Sequence, residues 1–336
     1  MVKRAQHGLA AAVAIGLTLS LAACGTAGSA ARPVTFTNPV YAHDFPDPFV
    51  LKAGGRYYAY ATNTNSEDTP SLVSRDLVHW TAGKDVFPVP PRWLSSDIWA
   101  PDVYHRPDGK YVLYYAGRDI TVGHECLGHA VAGSPEGPFI DQSSTPFVCQ
   151  AALGGDIDPA HFVDSNGRVY LLWKNDGNCC GVTTYLFSQR LSTDGLHLLG
   201  RPVKLLSNDA NWEGDLIEAP TMWKQGGKYY LFFSANNYAS FDYAVGYATC
   251  AGPQGPCKDG PENPILTSKC RAAGPGGETI ITDGKGQTWM LYHAWRASAV
   301  DDPTVGRELW LDRLDWKGGK PVVEGPTCKP EAAPAP

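Results

Sequence analysis

The chain has 336 residues, of which 18% are charged and 11% are aromatic, and its formal net charge is −6. This composition is typical of a soluble globular protein and excludes the strongly basic surface that nucleic-acid binding requires. Beyond the N-terminus the sequence has no second long apolar run, so we expect no membrane-spanning segment there.

Residues 1–23 have the pattern of an export signal. A short basic region, Lys3-Arg4, precedes an apolar stretch from Leu9 to Leu21. This stretch is shorter than a typical transmembrane helix. The ending Leu-Ala-Ala-Cys resembles a bacterial lipoprotein signal, which implies lipidation of Cys24; an ordinary cleaved signal is the alternative. We therefore predict an exported protein, lipid-anchored to the outer face of the bacterial cell membrane, with residues 24–35 as a flexible tether.

The cysteine content agrees with export. Eight of the nine cysteines remain once Cys24 is set aside, and an even number in an exported chain favours disulfide bonds. Three pairs are close in sequence: Cys126 with Cys149, Cys179 with Cys180, and Cys250 with Cys257. The adjacent pair either bridges itself or has two separate partners, and the pairing as a whole is left open. A metal site is the rival explanation, but no CxxC pairing or Cys/His spacing supports it.

One hairpin pattern recurs five times along the chain. Each copy has a strand, a turn with glycine and an aromatic-rich strand. The copies are PFVLKAGGRYYAYAT, PDVYHRPDGKYVLYYAG, PAHFVDSNGRVYLLWK, PTMWKQGGKYYLFFSAN and TIITDGKGQTWMLYHAW. Their turn glycines recur about every 55–60 residues, at Gly55, Gly109, Gly167, Gly227 and Gly286. No long amphipathic helix pattern separates the copies.

This repeat predicts an all-β fold, a five-bladed β-propeller over residues 36–328. Periods near 50 with about four short strands per unit are typical of propeller blades. A β-sandwich is the alternative, although it rarely repeats one hairpin five times. Residues 329–336 are predicted to form a C-terminal tail.

Three copies of the hairpin are preceded by a carboxylate close to a proline. Asp47 lies eight residues before its turn glycine, and Asp158 and Glu218 each lie nine residues before theirs. Because the first strand of each blade lines the central channel, we expect these carboxylates to meet at one mouth, where crowding raises at least one pKa. Paired acids of this kind suit glycosidic bond cleavage, with one protonated and the other ionised. A purely structural role remains the alternative, since Asp-Pro commonly starts turns.

The chain resembles glycoside hydrolase family 43 from about Asn38 to Thr327. The matching stretches, in order, are NPVYAHDFPDPFV, SRDLVHW, IWAPDV, DIDPAHFVDSNGRVYLLW, IEAPTMW with KYYLFFSAN, and GRELWLDRLDW. The resemblance implies an inverting hydrolase of the arabinanase, arabinofuranosidase and β-xylosidase group.

The resemblance also implies a role for each matching residue. Asp47 of PDP is the general base that activates water, and Glu218 of IEAP is the general acid. Asp158 of DIDP raises the pKa of Glu218 and orients it. Trp99 of WAPD stacks on a sugar face, unless it is a blade-core tryptophan. Arg307 of VGRE reaches sugar hydroxyls, unless it is a surface strand charge.

One departure from the family lies before the fifth hairpin. The family often has Gly-Pro-Gly-His there, whereas this chain has Gly274-Pro275-Gly276-Gly277. His293 of YHAW is a candidate for the missing histidine, either beside an axial metal ion or as a buried, hydrogen-bonded core residue. No cofactor is expected to be required. A structural calcium on the propeller axis is left open, because no clustered Asp or Asn pattern specifies a calcium loop.

We therefore predict a monomeric hydrolase of α-L-arabinofuranosyl linkages in arabinan or arabinoxylan oligosaccharides. Xylosidase-type relatives often append a β-sandwich, whereas this sequence ends in KPEAAPAP soon after the fifth repeat. The alternatives are an endo-1,5-arabinanase, a β-xylosidase, a fructan-processing five-bladed enzyme, and a tethered sugar-binding propeller without activity. The fructan group carries Asn-Asp-Pro-Asn-Gly, Arg-Asp-Pro and Glu-Cys motifs, which are replaced here by PDPF, IDPA and IEAP.

Overall fold

The computed structural model describes residues 1, 2, 5, 8–10, 34–64 and 67–336. Chain contacts separate Met1–Pro33 from a second unit, Val34–Pro336, to which the rest of this section refers. Cys24 and most of the predicted signal and tether lie outside the described residues. Within the ranges given above, no helix is long and apolar enough to cross a membrane.

The strands of the second unit are antiparallel and mostly short. The first of them is β1 (Thr35–Phe36). Blade 1 contains β2 (Phe49–Ala53), β3 (Arg56–Tyr60), β4 (Ser71–Ser74) and β5 (Trp80–Ala82). Blade 2 contains β6 (Trp99–His105), β7 (Tyr111–Arg118) and β8 (Glu125–Ala132). Blade 3 contains β9 (Asp156–Val163), β10 (Val169–Asn175), β11 (Tyr185–Leu191) and β12 (Leu198–Ser207).

The remaining strands complete the sheets. Blade 4 contains β13 (Ile217–Gln225), β14 (Lys228–Ala235), β15 (Ala244–Cys250) and β16 (Cys257–Asp259). Blade 5 contains β17 (Ala272–Thr282), β18 (Thr288–Arg296), β19 (Arg307–Lys317) and β20 (Lys320–Val323). The last strand is β21 (Glu331–Ala332). Three short 3₁₀ helices lie between strands, at Ala151–Leu153, Gly177–Cys180 and Asn211–Glu213.

The blades form a closed ring. Within each blade the strands pair in chain order. The first strand of each blade contacts the first strand of the next, from β2 through β6, β9, β13 and β17 and back to β2. The five predicted hairpins are the first two strands of the five blades, so the structure confirms the five-bladed β-propeller.

The hairpin turns show why glycine recurs. The turn between β2 and β3 places Gly54 and Gly55 at φ values of +55° and +74°, and the turn between β13 and β14 places Gly226 and Gly227 at +56° and +81°. A two-residue turn with positive φ at both central positions matches the right-handed twist of the flanking strands, and glycine adopts it without steric cost. The glycines therefore fix the register of these hairpins.

Each blade buries both of its faces against its neighbours. Seven of the eight residues of β7 are buried, as are all seven of β10. One hydrophobic cluster joins Phe232 and Tyr247 of blade 4 to Met290 and Trp310 of blade 5. Strands with two covered faces have nearly continuous apolar sequences rather than alternating ones, which explains the aromatic runs in the five repeats.

The C-terminal residues are part of the domain. Residues 329–336, predicted to form a C-terminal tail, contain β21, which pairs with β1. In addition, the backbone nitrogen of Gly284 donates a hydrogen bond to the carbonyl oxygen of Ala335. Two segments from opposite ends of the chain thus form a small sheet beside the propeller.

Four disulfide bonds are present. Three join the pairs that are close in sequence, Cys126–Cys149, Cys179–Cys180 and Cys250–Cys257. The fourth, Cys270–Cys328, joins cysteines that are 58 residues apart. It connects the segment before β17 to the segment after β20, so it ties the C-terminal segment to the last blade.

Two disulfides with clearly different loop lengths give a stability prediction. Cross-linking restricts the unfolded chain more when the closed loop is longer. Replacing both Cys270 and Cys328 by serine should lower the free energy of unfolding by about 4 kcal/mol. The same change at Cys250 and Cys257, which are 7 residues apart, should cost about 2 kcal/mol. Denaturant unfolding of the two variants measures the difference, and equal losses would contradict the loop-length explanation.

Candidate active site

A backbone turn before a proline recurs in all five blades at one end of the ring. The residue before the proline has a positive φ in each case: Asp47 (50°), Ala100 (44°), Asp158 (55°), Ala219 (52°) and Gly274 (55°). Strand pairing shifts register at the last four of these turns, as expected for β-bulges. Positive φ is uncommon outside glycine and tends to be retained at functional sites.

The turns surround a cavity of about 850 Å³. This volume lies within the usual range for small-molecule sites. The cavity is lined by all five residues predicted to be catalytic or substrate-binding: Asp47, Trp99, Asp158, Glu218 and Arg307. They come from all five blades: four of them lie on strands, and Asp47 lies just before the first strand of blade 1. The convergence expected from the repeat is therefore present.

Asp47 is held as a carboxylate. Its two oxygens lie 2.9 and 3.3 Å from the guanidinium nitrogens of Arg307, and the hydroxyl of Thr62 donates to Oδ2 at 2.6 Å. Burial alone would raise the pKa of Asp47, but the charge of Arg307 and hydrogen bonds from His293 and Thr62 hold it well below its usual range. Asp47 is thus ionised throughout the neutral range.

Glu218 has two close partners that the sequence patterns did not indicate. The ammonium group of Lys174 lies 2.9 Å from Oε2, and the hydroxyl of Tyr243 donates to Oε1 at 2.7 Å. Lys174 is fully buried. The sequence does contain one indication of this contact, a lysine within the apolar strand β10. Lysine is almost never fully buried without a partner, so an acidic partner could have been expected.

Asp158 lies next to Glu218 across a blade boundary. Its Oδ2 accepts a hydrogen bond of 2.9 Å from the backbone nitrogen of Ala219, the residue after Glu218. Burial raises the pKa of Asp158, the charge of Glu218 raises it further, and Lys174 opposes both effects. Asp158 therefore retains its proton to a higher pH than an isolated aspartate would.

Glu278 is one of several further carboxyl groups that line the cavity. Glu278 of β17 is 3% exposed, and its Oε2 accepts a hydrogen bond of 2.8 Å from the hydroxyl of Ser234. Its blade carries the fifth pre-proline turn, Gly274-Pro275. The hairpin pattern of the fifth repeat begins at Thr279, one residue after Glu278, so the pattern did not indicate Glu278.

Trp99 contributes to both the cavity and the core. Its partly exposed ring lines the cavity, and it also packs against the hydrophobic cluster that contains Tyr104 and Trp173. The position of Trp99 therefore allows both stacking on a sugar and packing in the blade core. Arg307 is not a surface charge, because it lies in the cavity and also stacks over the ring of Tyr238 at 4.9 Å.

His293 is buried and lies beside Asp47. Nδ1 is 3.1 Å from the backbone nitrogen of Asp47, and Nε2 is 3.4 Å from a guanidinium nitrogen of Arg307. Burial and the charge of Arg307 lower the pKa of His293, so the ring is neutral. Nδ1 also lies 3.3 Å from Oδ1 of Asp47. A metal ion beside His293 and an axial calcium both stay predictions.

One other group of possible metal ligands is found in the described part of the chain. The ligand atoms of His124, Cys179 and Cys180 lie within 4.8 Å of one another. The two sulfur atoms are joined in a disulfide, however, so neither is available as a thiolate.

Comparison with known proteins gives a consistent result. The family model for glycosyl hydrolases family 43 matches residues 36–321. Extracellular endo-alpha-(1->5)-L-arabinanase 1 of Bacillus subtilis is 26% identical over 296 residues, which cover 82% of this chain and 86% of that protein. Xylosidase/arabinosidase 43A of Humicola insolens is 29% identical, over 70% of this chain and 77% of its own length. Beta-xylosidase of Bacillus subtilis is 28% identical, over 86% of this chain and 57% of its own length.

A solved structure supports the same assignment. The crystal structure of a thermostable family-43 glycoside hydrolase matches 90% of this chain and 100% of its own chain, with 30% identity and a TM-score of 0.79. The family match spans most of the propeller, and the cavity contains every carboxylate expected from the family's motifs. The chain therefore belongs to glycosyl hydrolases family 43 and is a glycoside hydrolase.

Proposed function

We propose that the chain hydrolyses α-L-arabinofuranosyl linkages with inversion, using Asp47 as general base and Glu218 as general acid. The observation that carries the proposal is the difference between the surroundings of these two carboxyl groups in one cavity. Asp47 is held ionised by Arg307 and Thr62, whereas Glu218 adjoins Asp158, whose pKa is raised. Carboxyl groups whose surroundings separate their proton affinities are suited to opposite roles.

The proposed reaction moves two protons. The carboxylate of Asp47 accepts a proton from a water molecule, whose oxygen attacks the anomeric carbon. The carboxyl group of Glu218 donates a proton to the glycosidic oxygen, so the bond from that oxygen to the anomeric carbon breaks and the alcohol leaves. Lys174 and Tyr243 are placed to stabilise the Glu218 carboxylate that results. Solvent then returns a proton to Glu218, and Asp47 loses its proton to solvent.

The choice of pentose is supported by the relatives. Of the relatives named above, the first from Bacillus subtilis is named an endo-arabinanase, and the one from Humicola insolens is named a xylosidase/arabinosidase. Probable arabinan endo-1,5-alpha-L-arabinosidase C of Aspergillus oryzae is 25% identical over 87% of this chain and 94% of its own length. The names of these three relatives thus all refer to activity on arabinose-containing substrates. We propose arabinan or arabinoxylan oligosaccharides as substrates and release of single arabinose units as the action.

Endo-cleavage of linear arabinan is the second candidate. It is favoured by the endo-arabinanase of Bacillus subtilis, whose match extends over 86% of that protein. The same catalytic groups serve both actions, so the length of the first products distinguishes them.

We further propose that the protein is exported and anchored by a lipid on Cys24. The support is the signal-like sequence of residues 1–23 and the extracellular relatives from Bacillus subtilis and Thermotoga petrophila. Four disulfide bonds suit an oxidising compartment outside the cytoplasm. We also propose that the protein is a monomer and that it acts on oligosaccharides at the cell surface.

Substitution of the proposed acid and base gives the first functional prediction. Asp47→Asn and Glu218→Gln should each lower turnover of an arabino-oligosaccharide by about 10²–10⁴-fold. On 4-nitrophenyl α-L-arabinofuranoside, Glu218→Gln should lose much less, because a nitrophenolate leaves without a proton. Asp47→Asn should lose equally on both substrates. Asp164→Asn, at a carboxylate outside the cavity, is the matched control. If the loss of turnover depends on the leaving group to the same extent in both variants, the assignment of Asp47 as base and Glu218 as acid is refuted.

The neighbours of Glu218 should move the pH–rate profile in opposite directions. Asp158→Asn removes a negative charge, so the basic limb should move to lower pH by about one unit or more. Lys174→Met removes a positive charge, so the limb should move to higher pH by a similar amount. Lys224→Met, whose ammonium group pairs with Asp164 outside the cavity, should leave the limb unchanged. Movement of both cavity variants in one direction would show that another group donates the proton.

Early products should identify both the sugar and the stereochemistry. Proton NMR of the first minutes of reaction should show β-L-arabinofuranose, the inverted anomer, before mutarotation. Free arabinose alone indicates exo action, whereas a series of oligomers indicates endo action. Retention at the anomeric carbon would refute the mechanism. Faster hydrolysis of xylobiose than of any arabinoside would refute the substrate.

A further inference from the structure

Glu278 is a buried carboxyl group that the acid–base mechanism does not use. It lies on β17, four residues after Gly274, and lines the same cavity as Asp47, Asp158 and Glu218. Only 3% of its surface is exposed, and no salt bridge to it is found in the described part of the chain. A buried carboxyl group without a cation needs a specific explanation, because burial of an unpaired charge is costly.

The hydrogen bonds around Glu278 fix the position of its proton. The hydroxyl oxygen of Ser234 accepts a hydrogen bond of 2.9 Å from the backbone nitrogen of Gly277. The single hydrogen of that hydroxyl is directed to Oε2 of Glu278, at 2.8 Å. Oε2 is therefore an acceptor. Oε1 is buried and has no hydrogen-bond partner among the described residues, so a protonated Glu278 carries its hydrogen on Oε1.

The charge of the cavity favours the protonated form. Burial raises the pKa of Glu278 to about 8, and the nearby charges of Asp158 and Glu218 contribute to the increase. At neutral pH, Glu278 is consequently an uncharged carboxylic acid, which both donates and accepts hydrogen bonds.

The two cations and the buried tyrosine of the cavity are already engaged. Arg307 is paired with Asp47, and both Lys174 and Tyr243 contact Glu218. A pentose presents several hydroxyl and ring oxygens, each of which accepts hydrogen bonds. Oε1 of Glu278 is a buried polar atom that lacks a partner until a ligand supplies one, and leaving such an atom unpaired in the complex is unfavourable.

We propose that Glu278 is a specificity-determining residue whose Oε1–H donates a hydrogen bond to one oxygen of the pentose unit bound in the cavity. The proposal rests on the proposed function, because it assumes that a pentoside occupies this cavity. Sites built to hydrogen-bond a hydroxyl discriminate strongly against analogues that lack it, since the protein group is then left unpaired.

The decisive test compares deoxy substrates across two variants. The substrates are a nitrophenyl pentoside that the wild type cleaves and the analogues that lack one ring hydroxyl each. Glu278→Leu should lower kcat/KM for the parent pentoside by about 10–100-fold. Glu278→Gln, whose amide can donate from the same place, should stay within about threefold of the wild type.

One deoxy analogue should reveal the partner. The wild type should hydrolyse this analogue with a much lower kcat/KM than the parent pentoside. In Glu278→Leu, removal of the same hydroxyl from the substrate should lower kcat/KM hardly any further. Glu213→Gln changes another buried carboxyl group, one that does not line the cavity, and should retain the wild-type pattern. Equal losses in wild type and Glu278→Leu for every analogue would overturn the proposal. Activity of Glu278→Gln as low as that of Glu278→Leu would also overturn it.

The protonation state has an independent measurement. Because the folded-state pKa of about 8 exceeds the ordinary 4.5, the folded protein favours the uncharged form, and stability falls as pH rises from about 5 to about 8. Glu278→Gln removes this dependence, so its Tm should exceed that of the wild type by a margin that grows over this range. A constant margin would show that Glu278 is already ionised, and would overturn the proposal.

The two hypotheses fail in different ways. If the wild type cleaves a xyloside and no arabinoside, the proposed substrate is refuted. The deoxy series is then built on that xyloside and tests Glu278 unchanged. If the wild type cleaves arabinosides but the deoxy losses are the same in both proteins, only the role of Glu278 is refuted.

Discussion

The balance of charge in the central cavity is the constraint on which the site depends. Several carboxyl groups line a partly desolvated space that holds two cations, Arg307 and Lys174; the four that matter here are Asp47, Asp158, Glu218 and Glu278. Buried ions are retained where they are paired, because an uncompensated charge costs several kcal/mol. Arg307 lies against Asp47 and Lys174 against Glu218, whereas burial raises the pKa of Asp158 and the pKa of Glu278. The position of Arg307 therefore keeps Asp47 ionised, and Asp158 and Glu278 retain their protons to higher pH.

The contacts that create this distribution cross blade boundaries. Lys174 belongs to blade 3 and its partner Glu218 to blade 4, and Arg307 of blade 5 pairs with Asp47 before blade 1. Asp158 of blade 3 accepts its hydrogen bond from the backbone of blade 4. Neither of these two ion pairs lies within one blade. The chemistry thus arises only when the ring closes, which couples the catalytic electrostatics to the same packing that stabilises the fold.

The backbone turns position these side chains. Three of the four non-glycine residues with positive φ before a proline are Asp47, Asp158 and Ala219, which follows Glu218. Such conformations cost of order 1–3 kcal/mol each and persist only where the surroundings determine them. Here each turn lies at the start of an innermost strand, and neighbouring blades hold it in place. The strain is distributed over the ring, and the carboxylates are directed into the cavity.

Much of this could be predicted from the sequence, because hairpins are local. The glycine turns and aromatic strands specified five blades, and the Asp-Pro and Glu-Ala-Pro motifs identified three carboxylates. Lys174, Tyr243 and the pairing of β1 with β21 could not be predicted in this way, since each depends on contacts between segments far apart in the chain. The disulfide that ties the C-terminal segment to the last blade belongs to the same class.

The departure from the family at Gly277 is explained by the residue that lies beside it. A Cβ atom at Gly277 would lie 2.7 Å from Nδ1 of His293, which leaves no room for a side chain, and the positive φ of Gly277 also favours glycine. Strand β17 pairs with β18 so that Gly276 is opposite His293. The imidazole from β18 therefore occupies the space that a histidine at position 277 would need.

This placement of the imidazole links the two carboxyl groups proposed as base and acid. His293 contacts the backbone nitrogen of Asp47, and its ring stacks on Tyr243 with an interplanar angle of 6° and centroids 5.8 Å apart. Tyr243 in turn donates to Glu218. Two stacked rings thus fix the position of Asp47 relative to Glu218. Because the imidazole is neutral and buried, it supports both groups without adding to the charge that Arg307 and Lys174 balance. The glycine at position 277 is then a steric requirement of this arrangement.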